Sequence, residues 1–281
     1  MTVLIAGCGD LGTEAGLRFA AQGHRVVGWR RSPGNLPPGI EGVRADLNTE
    51  LPRIPADTDV VVIATAASER TEGAYRRAYV SGTSNLLDAL ARDEVRPRRI
   101  LMVSSTAVYG DHGGAWVDEE SLVDPTEPTA RILHEAETLL LSRESSAILL
   151  RLSGIYGPGR TRLIDQVRTN KAVLPATPRW TNRIHRDDAA AAIVHLSTAV
   201  PSPSRCYLGS DNEPAHLADV LRFLAAELGL PNPASGASAP TRGGDKRCSN
   251  ALLRSTGFDF AYPTFREGYG AVLSGIGARH R

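Results

Sequence analysis

Apolar residues in this chain fall into short unbroken runs, separated by longer stretches in which they recur every third or fourth position. The runs at 2–6, 25–29, 42–45, 59–64, 99–104 and 147–152 predict strands, and the periodic stretches at 11–22, 74–92 and 130–143 predict helices. Such alternation predicts an α/β fold with a doubly wound parallel sheet and helices on both faces. Ligands in that architecture bind beyond the carboxyl ends of the strands, where Gly7, Arg30, Asp46, Thr65, Ser105 and Gly154 fall. After Tyr156-Gly157-Pro158-Gly159 the pattern shifts to shorter elements rich in Pro and Arg. A helix started by Asp187-Asp188 runs through Ala189 to Thr198, followed by a strand near 204–208 and a helix over 215–229. Pro231 to Gly244 reads as a long Pro/Gly/Ser/Ala-rich loop. The expected organisation is a nucleotide-binding domain over 1–155, to which 185–210 return, and a smaller substrate lobe over 156–281.

The first strand and first helix are joined by Gly7-Cys8-Gly9-Asp10-Leu11-Gly12. In this setting the first glycine permits a tight turn, the second lets backbone approach a pyrophosphate, and the third lets helix and strand pack closely. The helix amino terminus then faces the phosphates. About twenty residues further on, an NAD-selective site places a carboxylate on the ribose 2′-hydroxyl. Here the second strand ends in Trp29-Arg30-Arg31-Ser32. Guanidinium groups cannot accept a hydrogen bond from a hydroxyl, but they pair with a 2′-phosphate and stack on adenine. The cofactor expected is NADP(H); the competing reading is a solvated loop after a strand.

Composition narrows the setting. The chain has 281 residues and a net charge of +1, so nothing suggests a nucleic-acid or anionic-membrane partner. Only Lys171 and Lys246 among the 32 basic residues are lysines. Three scattered cysteines, Cys8, Cys206 and Cys248, suit neither a disulfide framework nor a zinc site. No targeting segment is evident and Val60 to Ala67 is too short to cross a bilayer, so a cytoplasmic protein without bound metal is expected.

The motifs taken together resemble the extended short-chain dehydrogenase/reductase superfamily, also described as the NAD-dependent epimerase/dehydratase family. The matching pieces, in family order, are the glycine turn, Ala45-Asp46-Leu47, Ala64-Thr65-Ala66-Ala67, Val80-Ser81-Gly82-Thr83, Ser104-Ser105-Thr106-Ala107-Val108-Tyr109-Gly110, Arg151-Leu152-Ser153-Gly154 and Arg183-Ile184-His185-Arg186-Asp187-Asp188. The resemblance implies a Rossmann-type domain and a cofactor site made by Gly7, Gly9, Asp10, Leu11, Gly12, Arg30, Arg31, Asp46, Leu47, Ala64, Thr65, Ala66 and Ser104. It also implies that Ser105 binds a substrate carbonyl or hydroxyl. A homodimer through helices 74–92 and 130–143 is a further expectation from the same source.

Family catalysis rests on a tyrosine with a lysine four residues later, because a free phenol ionises near pH 10. None of the seven tyrosines here has a lysine at that spacing, and the corresponding helix carries Thr129 and Leu133 instead. The chain is therefore similar to an atypical, YeeZ-like bacterial subgroup. Tyr109 is the expected replacement proton carrier, with Tyr79 and His134 less well placed. For Tyr109 a packing or pocket-lining role is an equal alternative. His185 reads as structural. Arg160 and Arg183 fall where relatives cover the substrate and would suit an anion, but solvated arginines explain them equally and neither is assigned. The expected function is an NADP(H)-dependent oxidoreductase or epimerase acting on a small polar, sugar-like or anionic molecule. The rivals are a non-catalytic NADP(H) sensor and, less favoured, an isomerase without net redox change.

Overall fold

In the computed structural model, which describes residues 1–236 and 243–280, seven strands form one parallel sheet. They are β1 (Thr2–Ala6), β2 (Arg25–Arg30), β3 (Glu41–Arg44), β4 (Thr58–Ile63), β5 (Arg99–Ser105), β6 (Ile148–Leu152) and β7 (Cys206–Gly209). Their order across the sheet is β7-β6-β5-β4-β1-β2-β3, reversing direction beside β1. Crevices at such a reversal take ligands. In register, Ala6 lies level with Trp29 and Ile63, and Ser105 with Leu152. Both sets of strand ends therefore open on one edge.

The central strands are nearly continuous apolar runs because both faces of the sheet are covered. Val3, Ile5, Val60 and Val62 pack against Leu11, Ala15 and Phe19 of α1 (Asp10–Ala21) and against Ala189 and Ile193 of the helix Arg186–Thr198. Leu4, Ala6, Val61 and Ile63 point the other way, onto Leu86 and Leu90 of the helix Gly82–Arg92 and Leu140 of the helix Pro128–Arg143. Phe19 is fully buried, and truncating such a ring costs about 3–5 kcal/mol. A separate apolar cluster, drawn from elements after residue 155, gathers Tyr156, Ile164, Leu221, Leu224, Phe265 and Tyr269.

Several boundaries differ from those the pattern predicts. The helix expected over 74–92 begins at Glu72, where Thr71 Oγ1 accepts from the Ala74 amide, and is interrupted by a wide π turn over Arg76–Ser81. The helix expected from Asp187-Asp188 begins at Arg186 because His185 caps it, Nδ1 accepting from the Asp187 amide at 3.2 Å. The helix expected over 215–229 spans Leu217–Glu227, since Ala215–His216 pairs with Trp180–Thr181. Of the loop expected over Pro231 to Gly244, Ser235–Gly236 instead pairs with Leu174–Pro175, and 237–242 lie outside the described residues. Among the described residues no helix is long and apolar enough to cross a membrane, and no cluster of metal-ligating side chains occurs.

Candidate functional site

The turn between β1 and α1 is clamped to β2 by two amides, Gly7 and Cys8, which both donate to the Trp29 carbonyl at 3.1 and 2.9 Å. Gly7 has a φ of 88°, and a Cβ there would lie 2.8 Å from the Thr65 backbone. Any other residue would be strained and would push β4's loop away. A Cβ on Gly9 meets nothing within 4 Å, so the space in front of α1 is open. No side chain caps that helix, so its first amides remain available to an anion. A Cβ on Gly12 would sit 2.9 Å from the Gly7 carbonyl oxygen, which accounts for the third glycine.

A cleft of about 540 Å³ extends from this turn. Gly7, Gly9, Arg30, Arg31, Asp46, Leu47, Ala64, Thr65 and Ala66 line it, joined by Arg77 from the π turn. Asp46 accepts from the Asn48 amide at 3.0 Å, and this bond holds its carboxyl below the usual range against a small burial effect. An uncapped helix terminus, a glycine with open space before it and two arginines at the far end fit an adenine dinucleotide. Asp10 and Leu11 contribute backbone at that terminus, but the Asp10 carboxylate is engaged elsewhere. Its Oδ2 accepts from Arg160 Nε at 2.8 Å, and its Oδ1 from Arg186 Nη1 at 3.0 Å and the His280 amide at 3.2 Å. Burial opposes its ionisation, and Arg160, the His280 amide and Arg186 together outweigh burial and hold its carboxyl low.

A second cavity of about 740 Å³ lies beyond the ends of β5 and β6. Ser105, Thr106 and Ala107 form one wall, Ser153, Gly154 and Tyr156 another. Ser105 Oγ accepts from the Ala107 amide at 3.2 Å, capping the 3-10 turn Thr106–Tyr109 and leaving its hydroxyl proton for an acceptor in the cavity. Arg70, Arg160, Arg162, Lys171, Arg183 and Lys246 also line it, and among the described residues no Asp or Glu does. Arg183 is 4% exposed, donates from Nη2 to Thr181 Oγ1 and lies over the Phe265 ring. Its Nη1 is buried without a partner. A buried donor of this kind costs free energy unless something accepts from it.

Two expected site residues face inward, away from both cavities. Ser104 donates to Glu137 Oε1 at 2.5 Å, and Tyr109 is fully buried, its hydroxyl accepting from Arg151 Nη1 at 2.8 Å. Burial raises the Tyr109 phenol well above its ordinary value. The expectation that Tyr109 delivers a proton to substrate is corrected: the 3-10 turn after Ser105 rotates its ring under the sheet edge, beside Leu133. The same geometry removes the Ser104 side chain from the dinucleotide cleft. Tyr79 packs against Tyr75, and burial raises its phenol to about 12. His134 Nδ1 lies 3.5 Å from Glu137 Oε2, outside both cavities. His185 is buried as a helix cap, and desolvation lowers its pKa to about 4.

The Arg151–Glu137 pair was not picked out from the sequence, although two signals point to it. Arg151 interrupts the apolar strand Ile148–Leu152, and Glu137 interrupts a stripe of Ala130, Leu133, Ala136 and Leu140. Charges in such positions need partners. Arg151 gives Nε and Nη2 to the two carboxylate oxygens at 3.0 and 2.7 Å.

Comparison with known proteins agrees with this architecture. A solved structure described as an NAD-dependent epimerase/dehydratase from Methylobacillus flagellatus is 38% identical, covers 98% of both chains and superposes with a TM-score of 0.80. Protein YeeZ of Escherichia coli K12 is 29% identical over 273 residues, covering 93% of this chain and 96% of its own. A 3-diazoavenalumate denitrifying reductase from Streptomyces is 30% identical, covering 83% of each chain. The family model for NAD dependent epimerase/dehydratase matches residues 3–208, from the first strand through the last strand of the sheet. With its glycine turn, parallel sheet and paired cavities, this chain belongs to the NAD dependent epimerase/dehydratase family.

Proposed function

We propose that the protein is an NADP(H)-dependent oxidoreductase or epimerase acting on a small polar substrate that carries an anionic group. The observation that carries this reading is the cationic cavity beyond Ser105, sharing the carboxyl edge of the sheet with the dinucleotide cleft. Gly7, Gly9 and the α1 amides would hold the pyrophosphate, Asp46 the adenine, and Arg30 and Arg31 a 2′-phosphate. When bound, the nicotinamide supplies or accepts hydride. Ser105 would donate its free proton to a substrate oxygen and so fix the reacting carbon in place. Arg183, with its unsatisfied Nη1, would anchor the substrate's carboxylate or phosphate. The test is fluorescence titration with NADPH and NADH. Wild type should prefer NADPH, and Arg30→Ala/Arg31→Ala should lose that preference; an unchanged preference in the double variant removes the NADP(H) assignment.

A second reading, a non-catalytic NADP(H) sensor, draws on the burial of Tyr109 and Leu133. A polar cavity of substrate size next to the cleft favours the enzyme, because a sensor needs no such space. Partners other than a small molecule are not part of the proposal, and a cytoplasmic location accords with it.

A further inference from the structure

Both lysines of this chain line the substrate cavity, although arginine supplies every other basic residue in the protein. The chemical difference between the two residue types is titration. A guanidinium stays charged at any working pH, whereas a buried lysine can give up its proton and recover it. Lys171 lies three residues beyond the helix Arg162–Arg168 and is exposed. Lys246 is 3% exposed and enters from the carboxyl-terminal segment just before Arg247–Cys248, a strand paired with Trp116–Val117. Its Nζ donates to the carbonyl oxygens of Gly110, at 2.9 Å, and Gly243. Gly110 ends the 3-10 turn that Ser105 caps, and Gly243 lies against Ala107. The amine is thus hung beside the Ser105–Ala107 wall. It makes no ion pair among the described residues, and its third N–H position has no partner among them.

We propose that Lys246 is the proton-transferring residue of this cavity, serving in place of the family's tyrosine–lysine pair. The inference rests on the reading of the protein as a reductase. In the reducing direction the Lys246 N–H bond breaks and an O–H bond forms on the substrate carbonyl oxygen held by Ser105. The electron pair arrives at carbon as hydride from the reduced nicotinamide dinucleotide, which is oxidised. Lys246 becomes a neutral amine and is reprotonated from solvent; the oxidising direction reverses each step. Burial pushes the amine below the ordinary lysine value, which eases the loss of its proton. Cys248, Asp111 and Asp245 oppose that shift.

The experiment uses the scarcity of lysine. Protein labelled with 13C at lysine Cε gives two resonances, assigned with Lys246→Met, and both are titrated. Lys246 should titrate below the ordinary lysine value. The intact protein is also treated with pyridoxal 5′-phosphate near neutral pH and reduced with borohydride. The aldehyde should be trapped on Lys246 ahead of Lys171, as shown by peptide mass spectrometry. Ordinary titration of Lys246, or trapping confined to Lys171, overturns the proposal. NADPH titration of wild type and Lys246→Met separates this from the function itself. Wild type that fails to bind NADPH removes the reductase reading, whereas equal binding by both leaves that reading intact and assigns any loss of titration or trapping to Lys246 alone.

Discussion

Arg160 Nε lies 2.8 Å from Asp10 Oδ2, so the turn after Gly157-Pro158-Gly159 grips the first residue of α1. A free carboxylate at that terminus would repel a pyrophosphate, and Arg160 and Arg186 neutralise it. Arg160→Ala should therefore weaken NADPH binding roughly three- to tenfold, while costing at most about 1 kcal/mol of stability because the guanidinium is partly exposed. Fluorescence titration and thermal melting check both halves.

Glu137 is 1% exposed and holds Arg151 at 6% exposure through two hydrogen bonds. Replacing Glu137 with Leu leaves a buried guanidinium without its counter-charge, which should cost about 3–5 kcal/mol. Tyr109→Phe removes one acceptor from the same guanidinium and should cost about 1–3 kcal/mol, with NADPH affinity unchanged. Urea denaturation of the two variants gives the comparison, and a Tyr109→Phe protein of full stability would contradict the network.

Asp211 is buried with Oδ2 unpartnered, and desolvation raises its pKa to about 7. The folded state then holds a proton that the unfolded state has released between the ordinary carboxyl value and about pH 7. Stability attributable to this group is present at low pH and is lost as pH rises toward about 7. Asp211→Asn should flatten that part of the profile and raise the melting temperature more at about pH 8 than at about pH 5. A stabilisation equal at both values would show that the carboxyl does not titrate there.

Arg183 lines the cavity and its buried Nη1 has no hydrogen-bond partner. Millimolar inorganic phosphate should raise the melting temperature of wild type by binding the folded state. In Arg183→Gln the phosphate effect should fall by half or more, whereas an undiminished effect would place the anion elsewhere.

The strands, the glycine turn and the cleft behind it were legible because their signals are local: apolar runs, glycines at fixed spacing, and arginines at the next strand's end. The positions of Ser105, Asp46 and Thr65 follow from the rule that parallel strands present their carboxyl ends to ligands. The direction of Tyr109 was not legible, since one 3-10 turn decides whether the ring faces the cavity or Leu133. The cationic cavity is assembled from residues as far apart as Arg70 and Lys246, and no local pattern brings them together. Arg183 illustrates the same limit: its sequence neighbours are compatible with a solvated side chain, and only tertiary packing on Phe265 buries it.

The wide turn at Arg76–Ser81 sets the angular phase between the two ends of its helix. Winding the same residues as ordinary α-helix would advance each step by about 100° in place of the smaller step of a wide turn, and so would rotate Arg77 relative to Leu86 and Leu90. The apolar stripe could stay seated on the sheet while a cation left the dinucleotide cleft. The winding at this point thus acts as an adjusting screw on ligand charge, separable from the packing that holds the layer together.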